Sequence, residues 1–228
     1  MALTDERLRY VRTVLRLRPG DRLELFDGKG RLALATVESA DRRAVVLAVE
    51  APEAAPDNEA SVPLTLLFGV PKGDGAGRII RAGTELGVGA FVPVLTARTV
   101  PKGSDRQQKR WQRIAAEAAR QCGRAVIPAV AEPTHLARAL AALPTGVTLR
   151  LVPWEDETTV RFVDCLPAEP PGAAALLIGP EGGLTAEEVA QARAAGFVSV
   201  SLGPRILRAT TASIAACALL LHRLGDLG

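Results

Sequence analysis

From residue 62 onward the sequence alternates continuous apolar runs with helical stretches, and this alternation narrows the possible folds more than any other feature. "VPLTLLFGV", "AFVPVL", "VTLRLVP", "AAALLIG" and "FVSVSLG" are Val/Leu/Ile-rich and too short to be helices. Between and after them lie a helical stretch ending in "TELGV", a longer one from about 104 to 122, "THLARALAALP", one from 185 to about 195, and a last one from about 208 to 224. Apolar strands separated by helices indicate a parallel sheet covered on both faces, an α/β architecture. Ligands in such sheets sit beyond the carboxyl ends of the strands.

Two of those strand ends share a pattern. "AAALLIG" runs into Pro180-Glu181-Gly182-Gly183, and "FVSVSLG" runs into Pro204-Arg205. Glycine lets a ligand approach the backbone closely, and proline stiffens the turn. One such loop is equally well explained as a tight connection into the next helix, which the capping box Thr185-Ala186-Glu187-Glu188 is set to start. Two on consecutive strands favour the two sides of one pocket. "PKGDGAGR" at 71–78 also follows a strand and is glycine-rich, but it matches neither a Walker A nor a full dinucleotide fingerprint. A flexible turn explains it better than a phosphate cradle, and a nucleotide-dependent oxidoreductase would rest on it alone.

The first 60 residues read differently. "DERLRYVRTVLRLRPGD" looks helical, with Leu8, Val11 and Leu15 on one face and a stop at Pro19-Gly20. Three short β-like runs follow, the first two joined by "FDGKG", where Asp-Gly suits a hairpin turn. Residues 51–61, with two prolines and no periodicity, read as a linker. The expected domains are therefore a small β-rich unit over 1–60 and an α/β unit over 61–228.

Charge locates a further surface. The whole chain carries +3, yet eight Lys/Arg and only Asp105 and Glu117 lie between Arg98 and Arg124, a local +6. Arg106, Lys109, Arg110 and Arg113 share one face of the long helix. They form either a solvated basic face or a phosphate-binding surface; Arg124 and, from the first domain, Arg9, Arg12 and Arg16 are candidates to extend it. His135 and His222 are isolated, no serine lies in a nucleophile-elbow motif, and Cys122, Cys165 and Cys217 form no metal-ligand pattern. No metal is expected. No apolar run approaches the roughly 20 residues that span a bilayer, and the widely spaced cysteines suit a reducing cytoplasm, so the expected location is cytoplasmic with no membrane partner.

"KGDGAGRIIRAGTELGVGAFVPVLTARTV", "EAARQCGRAVIPAV", "LLIGPEGGLTAEEV" and "LGPRILRATTA", in that order, resemble the ribosomal RNA small subunit methyltransferase E family, 16S rRNA uracil-N3 methyltransferases of the SPOUT superfamily. "VLRLRPGDRLELFDGKG" resembles that family's PUA-like β-barrel domain. The resemblance implies a trefoil-knotted parallel-sheet domain, bound S-adenosylmethionine, a homodimer, and 16S rRNA of the small ribosomal subunit as partner. It implies cofactor contacts from Leu151 and Val152, from Ile178 to Gly183 (Gly179, Pro180, Glu181 and Gly182 between them), and from Leu202, Gly203, Ile206, Leu207 and Arg208. Arg208 is the candidate cation favouring a uracil N3 anion. Glu181 is the loop carboxylate, either a base or an acceptor of backbone N–H bonds. The family's Thr-Glu-Thr after Leu-Arg is here Ala209-Thr210-Thr211, so one carboxylate is missing; Tyr10 stands near an expected histidine, and Gly83 stands where a larger residue is expected. The missing carboxylate keeps a second reading alive, a non-catalytic RNA-binding protein on the same scaffold.

Overall fold

The structure, a computed structural model, describes residues 2–3, 10–41, 44–56, 58–99 and 105–227. It divides into two compact units. One comprises residues 1–58 together with 124–126; the other comprises 59–123 and 127–228.

In the first unit, β2 (Arg22–Phe26), β3 (Arg31–Ala40) and β4 (Val45–Val49) form an antiparallel sheet, with β1 (Ala2–Leu3) on β4 and β5 (Glu53–Ala54) on β3. Among the described residues the strand path runs from β1 to β2 without a closing pair. Alternation along β3 buries Ala33, Ala35 and Val37, which pack with Leu3, Val11, Val45 and Leu47. The expected hairpin is present: Asp27 Oδ1 accepts from the Lys29 and Arg31 N–H groups at 2.7 and 3.1 Å, and Gly28 has φ 76°. Three expectations change. β5 lies inside the stretch read as a linker, because Glu53 and Ala54 pair with Leu32 and Arg31. The described part of the first helix is a wide-turned segment over Tyr10–Leu15, with Val11 buried but Leu15 43% exposed; Leu8 lies outside the described residues. Residues 124–126 also join this unit, where Ala125 accepts from the Gly30 N–H at 3.2 Å.

The second unit is built on a parallel sheet: β6 (Leu64–Gly69), β7 (Ala90–Leu95), β8 (Ala129–Val130), β9 (Thr134–His135), β10 (Leu149–Pro153), β11 (Ala174–Ile178) and β12 (Val198–Val200). The strand order is β12-β10-β11-β6-β7-β8, and β9 also pairs with β7. Helices α1 (Gly75–Leu86), α2 (Asp105–Cys122) and α5 (Ala209–Arg223) cover one face; α3 (Leu136–Ala141) and α4 (Ala186–Ala194) cover the other. Side chains alternate across the sheet, so each central strand feeds two cores. Leu66, Phe68, Leu176 and Ile178 pack toward Ile79, Trp111, Ala216 and Leu220. Leu67, Ala175 and Leu177 pack toward Leu136, Val189 and Ala192. Gly83 has a steric explanation: a Cβ there would lie 2.7 Å from the Phe91 ring, which is wholly buried.

This topology positions the site. β10, β11 and β12 are parallel, and β10 lies between the other two. Their carboxyl ends therefore deliver three loops to one edge of the sheet.

Candidate active site

The loop after β11 is fastened on three sides. Pro180 packs against Gly69 at the end of β6, where any Cβ would overlap the proline ring. The Glu181 carboxylate accepts from the Lys72 backbone N–H, at 3.1 Å to Oε1 and 3.3 Å to Oε2. The Gly182 carbonyl accepts from Arg98 Nη1 at 2.5 Å. The loop then enters α4 through the predicted capping box: the Glu188 N–H donates to Thr185 Oγ1 at 3.2 Å, and the Thr185 N–H donates to Glu188 Oε2 at 2.9 Å. Buried Glu188 also accepts from the Ala97 N–H at 2.7 Å through Oε1.

The loop after β12 is tied to the chain that follows β10. The Ser201 N–H donates to the Val160 carbonyl at 2.7 Å, and the Phe162 N–H donates to the Ser201 carbonyl at 2.9 Å. Between these loops opens a cavity of 480 Å³. Pro153, Trp154, Glu155, Glu157, Thr158 and Arg161 form one wall. Ile178, Gly179, Pro180, Glu181 and Gly183 form the second. Ser201 to Leu207, with Ala209 and Ala212 of α5, form the third.

Nine of the expected contact residues line this cavity: Ile178, Gly179, Pro180, Glu181, Gly183, Leu202, Gly203, Ile206 and Leu207. Leu151 and Val152 do not. Both are fully buried, one on each face of the sheet, and the wall begins one residue later at Pro153. Gly182 is also absent from the lining; a Cβ there would meet the Arg98 side chain at 3.1 Å, so its position serves loop packing. Arg208 is exposed at the N-cap of α5, between the lining residues Leu207 and Ala209.

A third wall was expected at the end of β10, around Leu151 and Val152; the residues that form it, from 153 to 161, follow in the loop beyond. Its geometry is set by Glu157. Oε1 accepts from Thr159 Oγ1 at 2.7 Å, from the Thr159 N–H at 3.0 Å and from the Val160 N–H at 3.2 Å. Oε2 accepts from Ser199 Oγ at 2.7 Å and faces Arg193 Nη2 at 3.5 Å. These donors favour the carboxylate and hold its pKa down to about 2, the Thr159 hydroxyl contributing most. The Arg193 guanidinium also lies over the Trp154 ring, 5.7 Å from its centroid. Arg161 forks onto Asp164 at 2.8 and 2.6 Å, which lowers the Asp164 pKa.

The basic residues separate into two groups. Arg106, Lys109, Arg110 and Arg113 are exposed on α2, whose opposite side buries Trp111, Ala115 and Ala118. Arg110 is partly neutralised by Asp74 of the glycine-rich turn, 2.6 Å away. Arg124 is 5% exposed, so it does not extend an exposed basic face. Arg16 is exposed; Arg9 and the Arg12 side chain lie outside the described residues. Among the described residues, no cluster of His, Cys, Asp or Glu could hold a metal ion, and no helix is long and apolar enough to cross a membrane.

Comparison with known proteins agrees with this arrangement. Residues 58–221 match an RNA methyltransferase domain family, and residues 3–50 match an RNA methyltransferase PUA domain family. The ribosomal RNA small subunit methyltransferase E of Synechocystis is 39% identical over 96% of this chain and 71% of its own length. That of Mycobacterium bovis is 36% identical over 91% of this chain and 80% of its own. The crystal structure of the Neisseria gonorrhoeae ribosomal RNA small subunit methyltransferase E bound to S-adenosyl methionine superposes with a TM-score of 0.88. It is 33% identical and covers 97% of this chain and 91% of that one. Sequence similarity over both units and structural similarity over nearly the whole chain lead to one family: the chain belongs to the ribosomal RNA small subunit methyltransferase E family of RNA methyltransferases.

Proposed function

We propose that this protein methylates N3 of a uridine in 16S rRNA of the small ribosomal subunit, using S-adenosylmethionine, and acts in the cytoplasm as a homodimer. The observation that carries this reading is the cavity where three parallel strands end. Its 480 Å³ lies in the range of about 300–1,000 Å³ usual for small-molecule sites. Apolar Ile178, Leu202 and Leu207 alternate there with glycine backbone and a few charged groups, a lining suited to a nucleoside joined to a charged amino-acid tail. Ile178–Glu181, Gly183, Leu202, Gly203, Ile206 and Leu207 are the residues that would hold the cofactor, with the wall from Pro153 opposite. The parent family's trefoil threading belongs to the same reading, as does the dimer, for which exposed Ile214 and Leu219 on α5 offer apolar surface.

When bound, S-adenosylmethionine supplies a methyl group on a positively charged sulfur that needs no further activation. The protein's tasks are then alignment and removal of the uracil N3 proton. Arg208 is suited to the second. It caps α5 beside unpaired helical N–H groups, and no acidic residue stands in that first turn. A guanidinium there stays charged and cannot take the proton itself; it stabilises the N3 anion left when the proton passes to solvent. Glu181 serves as a tie, since its carboxylate is engaged by the Lys72 N–H. The Watson–Crick edge must be exposed for N3 to react, so the target uridine is unpaired or flipped out.

Single-turnover transfer of labelled methyl to small-subunit particles tests this assignment across a pH series. Arg208→Ala is expected to slow transfer about 100-fold, the usual scale for losing one charge-stabilising donor, while cofactor binding stays near wild type. Raising the pH should recover part of the rate. Wild-type rates in the variant would remove Arg208 from the chemistry, and equal loss at every pH would make it a positioning residue. No transfer by the unmodified protein would favour the RNA-binding reading instead.

A further inference from the structure

Five charged side chains line the strand-end cavity: Glu155, Glu157, Arg161, Glu181 and Arg205. Three are already engaged within the protein. Glu157 is saturated by Thr159, Val160 and Ser199. Arg161 is forked onto Asp164, and Glu181 is held by the Lys72 N–H. Glu155 and Arg205 have no hydrogen bond or ion pair among the described residues. They have opposite charge and stand on two different walls, one following β10 and the other following β12.

The exposed Glu155 side chain lies against the loop after β11. Its Oε1 occupies the position a Cβ at Gly183 would need, and Gly183 itself has φ 73°, a left-handed backbone that favours glycine. The loops after β10 and β11 thus close on each other with the carboxylate between them. A Cβ at Gly203, two residues before Arg205, would meet nothing within 4 Å, so this side of the cavity is open.

We infer that Glu155 receives the α-ammonium and Arg205 the α-carboxylate of the amino-acid end of the cofactor, so that the loops after β10 and β12 read the zwitterion while the apolar lining takes the nucleoside. This assignment rests on the cofactor reading above. A carboxylate faces an ammonium and a guanidinium forks onto a carboxylate, each through charge-assisted hydrogen bonds. The pairing explains why the cavity keeps two unpartnered charges of opposite sign when its other three are internally satisfied.

Calorimetric titration with S-adenosylhomocysteine and with 5′-methylthioadenosine tests the pair. Both are uncharged at sulfur and share the nucleoside, but only the first has the amino-acid end. Glu155→Gln and Arg205→Gln are each expected to weaken S-adenosylhomocysteine about tenfold or more, the cost of one charge-assisted bond. Methylthioadenosine affinity should stay at the wild-type value, which also shows that each variant is folded. Unchanged S-adenosylhomocysteine affinity, or equal loss for both ligands, would overturn the assignment. Loss confined to S-adenosylmethionine would also overturn it, placing Glu155 against the sulfonium instead. Wild-type protein that binds none of these ligands would defeat the cofactor reading itself, and the inference with it.

Discussion

Glu157 shows how one residue can build a wall. It draws in donors from its own turn and from Ser199 on β12, and its carboxyl is held down to about 2 from an ordinary 4.5. A carboxyl whose folded pKa is depressed contributes stability that is complete above the unfolded value and fades as pH falls through the folded one. Glu157→Gln is therefore expected to lower the thermal midpoint at neutral pH. The difference from wild type should shrink between about pH 4.5 and about pH 2 and be gone below it. A difference that stays constant over this window, followed by circular dichroism, would mean that shape rather than charge holds the turn. Residues of this kind are hard to read in a sequence. "WEDET" carries three acids in a row of polar residues, and nothing local marks the third, Glu157, as the one locked by Ser199, 42 positions away. Gly83 is similar, because its size is set by Phe91 on the neighbouring strand rather than by its own helix. Glu181 was open between two roles, and the bond from Lys72 supports the structural one.

At the scale of elements, the longer strands and helices were legible because burial on both faces leaves an unmistakable apolar run. β6 and β11 are buried almost throughout, and the five helices fall where helical stretches were expected. Two-residue strands such as β5 and β8 carry no periodicity, and only partners distant in sequence define them. The basic face of α2 was legible for the opposite reason: its exposed side follows directly from helical spacing around buried Trp111 and Ala115. If that face binds phosphates, Arg106→Glu, Lys109→Glu and Arg110→Glu together should weaken rRNA affinity more than ~10-fold at low salt. The slope of log affinity against log salt should fall by roughly 2–3, since each lost phosphate contact removes about 0.7–0.9. The Arg110 share should be the smallest, because Asp74 already takes part of its charge. Filter binding over a salt series reads both quantities, and cofactor affinity should not move. Unchanged rRNA affinity would return the helix to a solvated surface.

At the scale of the whole molecule, the sequence divides near residue 60 in composition and the structure divides after residue 58. The contribution of residues 124–126 to the first unit was not legible, since it depends on a backbone bond between Gly30 and Ala125. The strand-end pocket was partly legible: two loops advertised themselves through glycine and proline, whereas the third lacked that signature and was placed at Leu151 and Val152, one residue short of the wall that begins at Pro153. The function proposed for this pocket makes one chemical commitment, the atom that receives the methyl group. The most direct test is single-turnover transfer from labelled S-adenosylmethionine to small-subunit particles, followed by nuclease digestion and mass spectrometry of the modified nucleoside. The account predicts label on N3 of one uridine of 16S rRNA, accompanied by arrest of reverse transcription there, because a methyl group at N3 blocks the Watson–Crick edge. Label on a ribose hydroxyl, on another base or on another atom of uracil would contradict it.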